Sequence, residues 1–148
     1  MKVVTPALRR TLLAVSRSAR VKTLAVRLPL TAAVVARFVP GEQVTDALAA
    51  VRTLAADGLC ARIDVLGEDT TTPGQAAAVR DTYLDVLARL AGAGLAGSAE
   101  VSVKLTALGL GLPEGPALAL GHARAICAAA GAAGTTMTVD MEDHTVTD

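Results

Sequence analysis

The sequence predicts an α/β fold, the first three strands of a (β/α)8 barrel preceded by N-terminal helices. Three observations predict it. Strand-like and helix-like runs alternate from residue 42 onward. The strand-like runs are separated by connections long enough to hold a helix: Asp64 to Lys104 is 40 residues and Lys104 to Asp140 is 36. Connections of that kind join parallel strands, whereas antiparallel neighbours need only a tight turn. Finally, each strand has one apolar and one partly polar side.

The elements follow in order. "GEQVTDALAAVRTLAADG" carries apolar residues at helical spacing and closes on Gly58, a helix stop. "LCARIDVLGE" is the first strand and its exit. In "TTPGQAAAVRDTYLDVLARLAGAG", Thr72 caps a helix, Pro73 suits its first turn, and Gly92 and Gly94 end it. The second strand is "AEVSVKLTAL", and a Gly/Pro turn, "GLGLPEGP", leads into the helix "ALALGHARAICAAAGAAG". "TTMTVDM" is the third strand. The domain boundary is expected at residues 57/58, with a helical lead-in over 1–57 and barrel strands over 58–148.

Parity sharpens the picture, because successive strand residues point to opposite faces. Ile63 and Val65 oppose Arg62 and Asp64; Val101, Val103 and Leu105 oppose Ser102 and Lys104; Met137, Val139 and Met141 oppose Thr136, Thr138 and Asp140. Both faces of a parallel sheet are normally covered, so the polar sides must meet in an enclosure. A barrel interior supplies one, with its ligand at the carboxyl ends of the strands. An open doubly wound sheet is the alternative, though it asks for apolar residues on both faces. A closed eight-fold barrel takes roughly 250 residues. The expectation is therefore a truncated piece of a longer protein; a small three-layer domain is the other reading.

Composition excludes several classes. Apolar residues make up 52 % of the 148, with Phe38 and Tyr83 as the aromatic residues. That argues against stacking surfaces for nucleic acid. Residues 1–41 hold eight Lys or Arg and no acid, while residues 42–148 hold six basic and fourteen acidic side chains. The basic start reads either as a membrane-surface or targeting arm, or as a lead-in docked on the acidic remainder. No uninterrupted apolar run approaches the roughly 20 residues of a spanning helix. Cys60 and Cys127 read as small hydrophobes in a reducing compartment.

"GAGLAG", residues 92–97, matches a dinucleotide-binding pattern but ends a helix and precedes a strand, the reverse of what phosphate binding needs. It reads as a turn. "DMEDH", residues 140–144, offers oxygen and imidazole donors. Asp140 and Glu142 share a side if the strand continues, but His122 sits in a helix, away from any strand end, so the run reads as a solvated capping turn in which Asp143 or Thr145 begins the next segment. No metal site is assigned. Lys104 is the sharper signal. A lysine within an apolar strand is costly to bury unless it is paired or binds an anion. It shares parity with Asp64 and Asp140, which leaves a structural ion pair or an anion site.

Taken together, "IDVLGED", "EVSVKLTALG" and "TTMTVDMEDHT" resemble, in order and spacing, the first three strands of proline dehydrogenases. "RFVPGE" at 37–42 is similar to the segment before that barrel. The resemblance runs from about residue 8 to the last residue. It implies an FAD-containing (β/α)8 TIM barrel that oxidises L-proline to 1-pyrroline-5-carboxylate. Hydride would pass to the flavin N5 and electrons to a quinone. The protein would be cytoplasmic, with peripheral contact at the inner membrane face. By the same resemblance Lys104 lies beside the substrate carboxylate, Asp140 beside substrate and flavin, and Met141 against FAD. Asp64, Glu68 and Glu142 would support the site. The family's flavin-phosphate contacts and paired arginines belong to later strands and the last helix. The 148 residues alone are therefore expected to hold FAD weakly and to be inactive. Two rival readings stand beside this one: a non-enzymatic half-barrel that self-associates through its sheet edges, and a flavin-independent barrel enzyme for an anionic substrate.

Overall fold

The computed structural model describes Pro40, Gly41 and residues 43–67 and 70–140. From Gln43 on, the described residues form one unit. Its elements are α1 (Val44–Ala56), β1 (Ala61–Asp64), α2 (Pro73–Gly92), a 3₁₀ turn (Ala96–Ser98), β2 (Ala99–Val103), α3 (Gly115–Ala133) and β3 (Met137–Val139).

Local chemistry sets each boundary. The Asp46 carboxylate accepts the Gln43 N–H at 3.2 Å, satisfying a donor that the first turn of α1 leaves open. Gly58, at φ +75°, ends α1, and Leu59 N–H closes back on Leu54 C=O at 2.9 Å. At the start of α2, Thr72 Oγ1 accepts from Gln75 N–H at 3.3 Å while Gln75 Oε1 accepts from Thr72 N–H at 3.1 Å, a reciprocal box before Pro73. Gly134 closes α3 in the left-handed region at φ +80°. Gly58, Thr72 and Pro73 act as the sequence signals; the Asp46 contact and Gly134 are additions. The 3₁₀ turn and the earlier start of α3 are additions, and the strands are shorter than their apolar runs.

The three strands are parallel in the order β1-β2-β3, with Ile63 beside Val101 and Val101 beside Met137. The apolar side of the sheet carries the core. Val101 and Val103 are fully buried with Tyr83, Leu87 and Leu90 of α2 and Ala119, Ile126 and Ala130 of α3. Buried positions 83, 87 and 90, like 119, 126 and 130, recur at helical spacing, so each helix turns one stripe inward. Full burial of a Leu or Ile stabilises by roughly 1.5–3 kcal/mol. Leu48 and Val51 of α1 are buried as well.

Between β2 and α3 the chain makes a tight run of turns. Gly115 opens α3 so close to the preceding backbone that a Cβ there would lie 1.9 Å from the Leu110 carbonyl oxygen. His122 is buried against this run, its Nδ1 3.1 Å from Leu108 O. One expectation is corrected. Cys60 and Cys127 are both exposed, because Cys60 lies in the turn before β1 and Cys127 follows the inward Ile126 on α3. Among the described residues no helix is long and apolar enough to cross a membrane.

Candidate functional site

Register partners in a parallel pair share a face. The polar face therefore rises in rows from the amino ends of the strands to their carboxyl ends. In the first row, Arg62 of β1 meets Glu100 of β2 at 2.6 Å from Nε to Oε1. Thr136 Oγ1 donates to Glu100 Oε2 at 2.9 Å, and Thr138 Oγ1 reaches the same oxygen at 3.3 Å. The Arg62 hydrogen bond, then that from Thr136, holds the Glu100 carboxyl below its usual range. This row is internally satisfied.

The second row is Asp64, Ser102 and Thr138, paired in register. Ser102 is 2 % exposed, and its Oγ is a buried hydroxyl with no hydrogen-bond partner among the described residues. A buried polar group left so is uncommon and costly. The third row lies just past the strand ends. Val103 pairs with Val139, and Asp140 N–H donates to Val103 C=O at 2.9 Å, so pairing carries on through Asp140. Lys104 and Asp140 then occupy neighbouring positions on the polar face. Asp64 is one step lower, about 6.6 Å along the strand direction. Lys104 is half-buried, while Asp64 and Asp140 are exposed.

Continued past the last paired residues, the register sets Lys104 and Asp140 on the same face and at the same end of the sheet as Asp64. Met141, Glu142 and Glu68 lie outside the described residues. One cation flanked by two carboxylates can receive a ligand carrying both a carboxylate and an amine.

One residue escapes the sequence reading. Tyr83, 1 % exposed on α2, sends its hydroxyl through the end of the β1–β2 ladder. The oxygen accepts from Val65 N–H at 3.1 Å and donates to Ser102 C=O at 2.5 Å; Asp64 Oδ1 is 3.2 Å away. Burial pushes the phenol above its ordinary range, and Asp64 and Asp140 add to the rise against the opposing Val65 hydrogen bond. The available signal was a lone tyrosine on the inward stripe of a helix, since a buried tyrosine hydroxyl needs a partner.

Comparison with known proteins places the chain in a family. The family model described as proline dehydrogenase matches residues 47–148. Proline dehydrogenase of Deinococcus radiodurans is 37 % identical over 113 residues, covering 76 % of this chain and 36 % of the relative. Proline dehydrogenase 1 of Bacillus subtilis is 39 % identical over 108 residues, covering 73 % and 34 %. The chain spans about a third of the length of the curated relatives it matches. With a family match over residues 47–148, which hold all three strands together with α2 and α3, the chain belongs to the proline dehydrogenase family.

Proposed function

We propose that this chain supplies the first three strands of an FAD-dependent (β/α)8 barrel that oxidises L-proline to 1-pyrroline-5-carboxylate and passes electrons to a quinone. The observation that carries it is the third row: Lys104 beside Asp140 on the polar face, with Asp64 one step below. Proline has a carboxylate next to a ring amine, and this row offers a cation and two anions at strand ends. Lys104 would hold the substrate carboxylate. Asp140 would face the ring nitrogen and settle its proton. The amine must lose a proton before the ring carbon beside it can release hydride and form the C=N bond. Charge placed in advance where charge changes is how a protein assists such a step.

The residues present fit one side of a flavin site. The polar face carries an unpartnered Ser102 hydroxyl and the Lys104–Asp140 row, groups suited to the reacting end of the cofactor. Among the described residues there is no basic cluster for its phosphates. FAD, when bound, supplies the hydride acceptor, and the protein orients proline against it. Met141 is the position assigned against the flavin, with Glu68, Asp64 and Glu142 in support. The 148 residues alone are proposed to hold FAD weakly and to lack turnover, with the remaining contacts supplied by further β/α units. Peripheral membrane contact, at the cytoplasmic face, is part of the same proposal, since a quinone acceptor resides in the membrane.

The test uses a full-length, flavin-loaded protein that contains these 148 residues and the further β/α units. It is titrated with tetrahydrofuroate, a proline analogue lacking the amine, and followed by the flavin absorbance. A saturable spectral change is expected, together with dye-linked proline oxidation. Lys104→Met should weaken the analogue on the order of tenfold to a hundredfold, the worth of a hydrogen bond to a charged group. A protein that takes up flavin but responds to neither proline nor the analogue would overturn the reading.

A further inference from the structure

We infer that Tyr83 is a positioning residue, whose hydroxyl sets the spacing between the ends of β1 and β2 and so the spacing of Asp64 and Lys104. The inference deepens the proline dehydrogenase reading and rests on it.

The ladder between β1 and β2 is paired in register as far as Asp64 and Ser102. At the next step Val65 N–H donates to the Tyr83 hydroxyl at 3.1 Å, and that hydroxyl donates to Ser102 C=O at 2.5 Å. A phenol oxygen therefore stands between two backbone groups of opposite strands. A direct N–H···O bond spans about 2.9 Å; a bridge of two bonds holds the strands further apart. The residues on either side of the bridge are the ones the site uses. Asp64 precedes Val65, and Lys104 follows Ser102 by two.

The bridge is built to stay. The ring is 1 % exposed and packed in the core with Val101 and Leu87, so the hydroxyl has little freedom to move. The phenol holds one proton; the 2.5 Å contact directs it to Ser102, leaving Asp64 Oδ1 as the 3.2 Å neighbour. Burial and the nearby Asp64 and Asp140 carboxylates keep it protonated, hence a constant donor at neutral pH. Phenylalanine would fill the same core volume without a bridge. Val65 N–H and Ser102 C=O would then either close on each other, which moves Asp64 relative to Lys104, or stay apart with nothing holding their spacing, which leaves the two residues loosely placed.

The experiment is Tyr83→Phe in the intact flavin-loaded protein, read by kcat and KM for proline and by amide exchange at Val65. kcat/KM is expected to fall on the order of tenfold to a hundredfold, the scale on which a displacement of about 1 Å is felt, with the larger share in KM because Lys104 holds the substrate carboxylate. Val65 exchange should accelerate while core amides of α2 hold. A Tyr83→Phe protein with faster Val65 exchange but unchanged KM and kcat overturns the inference, because the hydroxyl is then only a strand clamp. Should that variant fail to fold, 4-aminophenylalanine at position 83 keeps the donor to Ser102 and weakens the acceptor for Val65. It is expected to give an intermediate KM, and a KM equal to that of Tyr83 overturns the inference as well. Loss of the proline reading shows separately, as an unsubstituted full-length protein that neither oxidises proline nor binds the analogue.

Discussion

Lys104 and Tyr83 do different kinds of work, and the difference decides what the sequence can reveal about each. Lys104 is legible because a cation in an apolar strand must be explained, and parity puts it with Asp64 and Asp140. Tyr83 is not, because its partners are backbone atoms of two strands; no side-chain pattern encodes a hydroxyl inserted into a ladder. Its contribution to stability can be isolated, since it is the one tyrosine in a chain without tryptophan. The folded phenol sits above its ordinary range and the unfolded one titrates near 10. Above about pH 10 the unfolded state therefore holds fewer protons than the folded state, and stability falls as pH rises. Phenolate absorbance near 295 nm is expected to appear together with unfolding rather than before it. Tyr83→Phe removes that alkaline dependence. At neutral pH it should cost about 1–3 kcal/mol through the two buried backbone groups it leaves without their bridge, measured by urea denaturation. A phenolate signal that rises near pH 10 while the circular dichroism stays native would contradict the buried bridge.

At the scale of elements, helix ends were the easiest features to foresee. Thr72, Pro73, Gly58 and Gly94 are stop or start residues with a stereochemical reason, and all four act at the ends they mark. The start of α3 was harder. Its first residue, Gly115, reads as part of a turn, and only the fold shows it pressed on the Leu110 carbonyl. Glycines in α3 accordingly divide into two kinds. Gly115→Ala drives a methyl group into backbone, so it is expected to destabilise by more than about 2 kcal/mol. Gly121 and Gly131 have open space where a Cβ would go and do not adopt positive φ. Each is expected to gain up to about 1 kcal/mol on substitution by alanine, the helix-propensity difference. Midpoints of thermal unfolding for the three variants check both directions at once. Equal effects at all three positions would show that the turns between β2 and α3 do not pack as described.

For the molecule as a whole, the direction of every strand was readable, whereas closure was not. Parallel order follows from connection length alone, but a barrel is a property of all its staves, and three strands fix neither shear nor tilt. What three strands do show is edges. Among the described residues β1 and β3 are the outer strands, and Leu66 at the end of β1 is 76 % exposed and Val139 on β3 50 %. Outer strands of a parallel sheet present unpaired backbone groups, and apolar side chains beside them make such an edge adhesive. The net charge of the chain is zero at neutral pH, so no long-range repulsion opposes contact between copies. The 148-residue chain on its own is therefore expected to associate in a concentration-dependent way, seen by sedimentation velocity. Val139→Lys should weaken that association, because a charge on an outer strand must be desolvated before another strand can add. In a protein whose further strands cover the β3 edge, the same lysine would instead cost stability, since it would be carried into the sheet. The two results separate an edge that is open in solution from one that the rest of a barrel covers, and a chain that stays monomeric at its highest soluble concentration would show that neither edge recruits a partner.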